Sequence, residues 1–354
     1  MSAGQQRGSA AVVQPAGERI RIAIVGLHFG GWMLEHEFAG PAAAWFEPVA
    51  VCDRDAALTA QWAARCGLPG YTDLATLLEQ VPCAVIGLFT GPVGRAALIR
   101  QIIDAGRDVI TTKPFERSAA AAAQVLHDAR ARGRVVLSNL PAPHMSRDIA
   151  QIRRWCDEYA LGRPIGYHAA TWCAYREQAD GSWYDDPAQC PAAPIFRLGI
   201  YLLDDLAWFM APVADVQLAQ SRISTGRPTA DTAALTLRHA DGTIGTVFAS
   251  FAIDDGQPYR CALQLHFAHG TITRNVGAIA AALPHQSAQL TLSARHAARQ
   301  HIASTTIDDT GAGYQWAAYA AALAGRQTPD DATIARFVAP LRLFERIVAA
   351  EAGR

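Results

Sequence analysis

Three stretches hold residues whose type and spacing suit chemistry. The first is Arg21-Ile22-Ala23-Ile24-Val25-Gly26-Leu27-His28-Phe29-Gly30-Gly31, an apolar run that ends in glycines. A second apolar run, Val49-Ala50-Val51-Cys52, ends in Asp53. A strand that turns sharply into a helix needs glycine at the turn. The helix N-terminus then offers backbone N–H groups to a pyrophosphate. An acidic residue about 20 positions further on stands where a carboxylate accepts ribose hydroxyls. Gly26, His28, Phe29, Gly30, Gly31 and Asp53 are therefore the expected contacts of a nicotinamide dinucleotide. Asp53 favours NAD, while Arg54 beside it suits a 2′-phosphate and keeps NADP open. His28 occupies the usual place of the second glycine, so either the loop stands off the pyrophosphate or the imidazole faces a phosphate. A plain strand-turn-helix with a solvated Asp53 is the alternative.

The second stretch is Val109-Ile110-Thr111-Thr112-Lys113-Pro114. In an open parallel sheet ligands bind beyond the carboxyl ends of the strands, so a lysine at that edge points to the reacting end of the cleft. The chain has very few lysines, which sets this one apart from an ordinary solvated side chain. Thr90, at the end of the preceding apolar run, is a weaker cofactor contact. The third stretch is Tyr175 to Pro187, dense in polar and aromatic residues including Trp183 and Tyr184.

These groups need a frame. Apolar runs at 21–26, 48–52, 83–89, 108–112 and 134–138 alternate with helical periods at 30–39, 55–66, 73–80, 92–105 and 117–132. That rhythm predicts a doubly wound parallel sheet. Beyond residue 140 it changes. Helices are expected at 147–160, 196–210, 314–325 and 331–352, and strands at 164–174, 214–223, 231–239, 243–252, 260–267, 271–276 and 288–294. Asp241-Gly242 and His269-Gly270 read as hairpin turns that use positive φ. The expected class is α/β. It has a Rossmann dinucleotide-binding domain (18–140) and an α+β domain with an open, mostly antiparallel sheet (141–354), after a disordered tail (1–17).

The glycine turn, Asp53, Ala105-Gly106-Arg107-Asp108-Val109 running into Lys113-Pro114, and Arg197-Leu198-Gly199-Ile200-Tyr201-Leu202-Leu203-Asp204 together resemble the glucose–fructose oxidoreductase/inositol dehydrogenase family (Gfo/Idh/MocA). The resemblance runs from about residue 20 to 350 in matching order. It implies hydride transfer between a nicotinamide and a sugar, polyol or related hydroxy compound. It also implies a C-terminal sheet that serves as the oligomer interface. The chain departs from the family pattern at the usual Glu before Lys-Pro, here Thr112, and in D-x-G-x-H-x-x-D, where Arg197 replaces the aspartate and Tyr201 the histidine. The resemblance makes Tyr201 and Lys113 the acid/base pair and places Asp204 at the substrate. Positions 197 and 201 are one helical turn apart. A tyrosine with a pKa near 10 is only about 0.1% ionised at neutral pH, and a close cation lowers that pKa by about 1–3 units. Arg197 either activates Tyr201 in this way or binds a substrate carboxylate or a loop carbonyl. Trp183 and Tyr184 then suit a sugar.

Composition narrows the field. The 354 residues are 51% hydrophobic and carry a net charge of −1, which leaves no electrostatic footprint for nucleic acid or an anionic membrane. No apolar run suits a membrane span. Seven cysteines without a C-x-x-C pair argue against disulfides or a thiolate metal site and for a reducing cytoplasm. His266 and His269 diverge on a strand-to-turn segment, so no metal is expected. The reading is a cytoplasmic NAD(P)-dependent dehydrogenase, dimeric or tetrameric through its C-terminal sheet, acting on a small carbohydrate-like molecule. Its alternatives are a non-catalytic dinucleotide-dependent regulator and an NAD-recycling lyase or epimerase.

Overall fold

The computed structural model describes residues 18–277 and 286–352, and packing divides it into two compact units that meet in sequence at Phe89/Thr90. The expected tail, 1–17, lies outside the described residues.

The first unit runs β1 (Ile20–Val25), α1 (Leu27–His36), β2 (Phe46–Cys52), α2 (Ala56–Cys66), β3 (Gly70–Tyr71), α3 (Leu74–Gln80) and β4 (Val85–Leu88). Its strands pair in parallel, β3 with β2, β2 with β1 and β1 with β4. Ile22, Ala23, Ile24, Val85 and Ile86 are wholly buried, as expected of parallel strands covered on both faces. Local chemistry sets the helix ends. Asp55 caps α2 by accepting from the Ala57 and Leu58 N–H groups, and Asp73 caps α3 through the Thr76 N–H.

The second unit opens with α4 (Arg95–Asp104), β5 (Asp108–Thr111), α5 (Ala119–Ala131) and β6 (Val136–Ser138), with β5 and β6 parallel. It continues with α6 (Arg147–Glu158), β7 (Pro164–Trp172), α7 (Ile200–Leu206), β8 (Val213–Ser221), β9 (Thr232–His239), β10 (Ile244–Ser250), β11 (Arg260–Phe267), β12 (Gly270–Val276), β13 (Ala288–His296), β14 (Arg299–Ile307), α8 (Trp316–Ala324) and α9 (Asp331–Ala352). Eight strands form one sheet in the order β14-β13-β12-β11-β7-β10-β9-β8. Every pairing is antiparallel except β10 with β7. One face builds the core from Tyr167, Ala169, Leu235, Leu237, Val247, Ala249, Leu263 and Leu265, with Phe196, Leu202 and Phe344 packed in the same cluster. The alternate residues Ile244, Thr246 and Phe248 point away from that core, and Ile244 is 55% exposed.

Three local expectations are corrected. β14 was not expected, because the turn before it is Ala297-Ala298, both at positive φ, without the Gly, Asn or Asp that marks such hairpins. Gly270 has no positive φ. It is needed because a Cβ there would lie 2.9 Å from both Leu161 Cδ2 and the Ser293 carbonyl oxygen. The helix expected over 196–210 starts earlier, at Ala193, carries a π-helical turn over Ile195–Gly199 and runs on as α7 to Leu206.

Candidate active site

In the first unit the strand-turn-helix has the geometry that a dinucleotide needs. Gly26 sits at φ 89°, a left-handed conformation open to glycine, and α1 starts without a side-chain cap. Beyond the Leu27 N–H, which Asp53 takes, the first-turn N–H groups of His28 and Phe29 stand where an anion binds. Asp53 accepts from the Leu27 N–H at 2.7 Å and from the Asp55 N–H at 3.0 Å, so the carboxylate is fixed across the turn with further lone pairs for ribose hydroxyls. His28 and Phe29 are exposed, as is Arg54, and Phe29 stacks on Trp32 with centroids 5.6 Å apart. The other two glycines also serve close packing. Gly30 is the one against the strand, where a Cβ would lie 2.9 Å from Ile24 Cγ2. Gly31 instead faces α2, where a Cβ would lie 2.2 Å from Trp62 Cζ2.

In the second unit the chemistry gathers around Lys113, the only lysine in the chain. Its backbone N–H donates to Asn139 Oδ1 at 2.8 Å, and its Nζ donates to the Arg197 carbonyl oxygen. The same Nζ lies over the Tyr201 ring, 5.0 Å from the centroid. Asn139 Nδ2 reaches the Tyr201 hydroxyl at 3.4 Å, so one amide spans Lys113 and Tyr201. Burial pulls the Lys113 pKa down to about 7, with the Arg197 charge as the second cause. Tyr201 moves the other way. Burial raises its pKa, and Tyr175 adds to this, against a hydrogen bond from Asn139 that lowers it. Burial therefore opposes the expected activation of Tyr201 by a neighbouring cation. The group brought near neutrality is the amine, and the phenol stays protonated.

The Arg197 side chain is engaged away from the Tyr201 hydroxyl. The Arg197 guanidinium faces Glu177 in a bidentate pair at 2.6 and 2.7 Å. It also lies 3.8 Å from the Tyr184 ring centroid and 4.7 Å from that of Phe251. Bound in this way it is neither the activator of Tyr201 nor a free receptor for a substrate carboxylate. Glu177 is shared with Arg227 at 3.0 Å, and Arg227 also grips Asp180 at 2.9 Å and Asp185 at 2.7 Å. Burial alone would raise the Glu177 carboxyl, but the two guanidinium groups hold it below its ordinary value. The stretch 175–187 is thus pinned by charge. Trp183 packs on Tyr184 with centroids 4.2 Å apart, and a Cβ on Gly91 would lie 3.0 Å from its indole. Thr90 precedes that glycine and donates to its carbonyl at 3.3 Å.

Asp204 is also corrected. Arg336 of α9 holds it at 3.2 Å, and burial raises its carboxyl pKa, which marks a brace to α9 instead of a substrate contact. Its neighbour Asp205 shares Arg274 with Asp148 in a buried cluster, at 2.7 and 3.1 Å respectively. Sequence reasoning missed Asn139, Glu177, Arg227 and Arg95. Asn139 follows a strand end as Lys113 does, and that position was the available signal. Glu177 lay inside the polar stretch 175–187 already singled out, and Arg227 and Arg95 had no signal beyond their charge. No group of three potential metal ligands occurs among the described residues, all seven cysteines are free, and no described helix is long and apolar enough to cross a membrane.

Comparison with known proteins gives the family of the chain. Residues 20–140 match the oxidoreductase family with an NAD-binding Rossmann fold, and residues 149–273 match the GFO/IDH/MocA C-terminal domain. No curated protein matches the chain. Among solved structures, the GenD2 protein of gentamicin A biosynthesis, in complex with NAD, is similar at TM-score 0.71 and 20% identity, covering 99% of this chain and 98% of that one. Levoglucosan dehydrogenase with NADH and levoglucosan gives 0.70 and 15%, covering 95% and 98%. The WlbA dehydrogenase of Bordetella pertussis with NADH and UDP-GlcNAcA gives 0.69 and 15%, covering 93% and 96%. With both halves matched in order, the chain belongs to the GFO/IDH/MocA family of NAD-dependent oxidoreductases.

Proposed function

We propose that the protein interconverts a secondary alcohol and a ketone on a sugar or polyol, with Lys113 as the group that exchanges the proton. The observation that carries this is the single lysine of the chain, half-buried at the end of β5 with its pKa drawn to about 7. Arginine cannot lose its proton at such a pH, so thirty arginines against one lysine leaves one side-chain amine able to do so. When bound, the nicotinamide supplies hydride acceptance and donation. In oxidation, neutral Lys113 takes the hydroxyl proton and becomes the ammonium. Tyr201, still protonated, donates a hydrogen bond to the same substrate oxygen. Asn139 keeps the two in register. Trp183, half-buried and packed on Tyr184, is the aromatic group that suits the apolar face of a sugar ring. Sugar ligands in levoglucosan dehydrogenase and WlbA support that substrate class.

Cofactor contacts in this reading come from Gly26, His28, Phe29, Gly30, Gly31, Asp53, Arg54, Thr90 and Lys113. Residues 18–140 serve as the dinucleotide domain and 141–354 as the substrate and oligomerisation domain, in a reducing cytoplasm. The outward face of the sheet, with Ile244 and Phe248, is where two copies would pair. Light scattering of Phe248→Glu should then show a smaller species than wild type. A panel of neutral sugars, inositols and acid sugars, followed at the reduced-nicotinamide absorbance, tests the activity. Turnover of a neutral sugar that Lys113→Met abolishes is the expected result. NAD binding without turnover across the panel would replace it with the regulatory reading.

A further inference from the structure

Arg95 opens α4 after Gly94, which takes φ 70°, and its side chain is 1% exposed. Its Nη1 donates to the carbonyl oxygens of Thr112 (2.5 Å), Pro114 and Phe115 (3.2 Å), and its Nη2 donates to that of Thr90. No carboxylate pairs with it among the described residues. Glu116, close enough to steady its charge, is itself occupied by the Ala96 N–H at 2.7 Å and the Arg117 N–H at 2.6 Å. An unpaired buried guanidinium is a costly element for a fold to keep. What it holds is specific. The carbonyls on both sides of Lys113 are in its grip, together with that of Thr90 ahead of α4.

We infer that Arg95 is a positioning residue for the reaction, fixing the backbone of Lys113 from both flanks so that its amine meets the Arg197 carbonyl and the Tyr201 ring. The inference goes beyond the proposed function and rests on Lys113 as its proton carrier. Asn139 holds the Lys113 N–H and Arg95 the neighbouring carbonyls, so only the side chain keeps freedom. The planar fork is what spans four acceptors, and an ammonium on a flexible stem cannot do so. Arg95 therefore acts through Lys113 and need not touch substrate.

The sole lysine makes the test direct. Acylation of Lys113 by an amine-reactive reagent, mapped by peptide mass against pH, reports its protonation without reference to turnover. In Arg95→Ala the labelling midpoint should rise by about one unit or more, as the amine escapes its burial. The kcat should fall about 10–100-fold, KM should change less, and added methylguanidinium should restore part of the loss. Arg95→Lys should behave like Arg95→Ala without the rescue, and it carries the test if Arg95→Ala fails to fold. A folded variant with wild-type labelling midpoint overturns the inference, whether or not kcat falls, because a merely structural role predicts that outcome. Full activity in Lys113→Met would instead overturn the reading of Lys113, and the labelling midpoint in Arg95→Ala would still judge Arg95.

Discussion

Arg197→Met separates the two jobs that one arginine performs. The substitution keeps a long apolar stem among Tyr184, Phe251 and Tyr175 but removes the charge. Glu177 retains Arg227 at 3.0 Å, so the stability cost should fall short of the roughly 3–5 kcal/mol of an orphaned buried charge. The effect on Lys113 has a definite sign. Arg197 is a like charge that disfavours the ammonium, second to burial as a cause of the lowered pKa. Its loss should raise that pKa from about 7 by about one unit, equivalent to about 1.4 kcal/mol, while burial keeps it below the ordinary lysine range. At pH 7 the neutral fraction would drop from about one half to about one tenth, so oxidation should slow about fivefold and recover above pH 9. The assay is kcat/KM for alcohol oxidation across pH 5–10 at saturating NAD. An acid limb that stays in place, or moves to lower pH, in a folded variant would refute the coupling. A rise in KM confined to acid sugars, with the limb unmoved, would return Arg197 to a substrate-binding role.

Other outcomes follow from the same geometry. Tyr201→Phe should lower kcat on the order of 10²-fold and leave the pH midpoint unmoved, because the phenol stays protonated through the working range. A shifted midpoint in steady-state profiles would make Tyr201 the titrating group after all. Asp53→Ala should weaken NAD binding more than NADP binding, since it removes both the ribose acceptor and the anchor of the Leu27 N–H. Titration calorimetry showing unchanged selectivity would move the ribose contact elsewhere. Gly31→Ala should lower the thermal midpoint through overpacking worth about 1–3 kcal/mol, as its Cβ would meet Trp62 Cζ2 at 2.2 Å, and Trp62→Leu should recover part of it. No recovery in the double variant would count against that contact.

The sequence by itself determined what local rules govern. Alternating apolar runs and helical periods placed β1, β2, β4, β5 and β6 and the helices between them, because burial on both faces of a parallel sheet writes near-continuous apolar segments. Glycines before α1 and Asp53 after β2 made the dinucleotide turn legible, since backbone sterics demand glycine there whatever the rest of the chain does. Strand β14 escaped because Ala297 and Ala298 take left-handed conformations that tertiary pairing imposes and no turn residue announces.

The tertiary structure alone decided how the charged residues pair. Glu177, Arg197 and Arg227 meet across 20 and 50 positions of sequence, and Arg95 reaches the carbonyls around Lys113 from 17 and 19 residues away. Spacing along a helix suggested a contact between Arg197 and Tyr201, but Glu177, brought in from a preceding loop, takes the guanidinium. Protonation followed from burial, which depends on distant segments closing around a side chain. That is why Lys113 moved toward neutrality and Tyr201 away from it, the reverse of what their neighbours in sequence suggested.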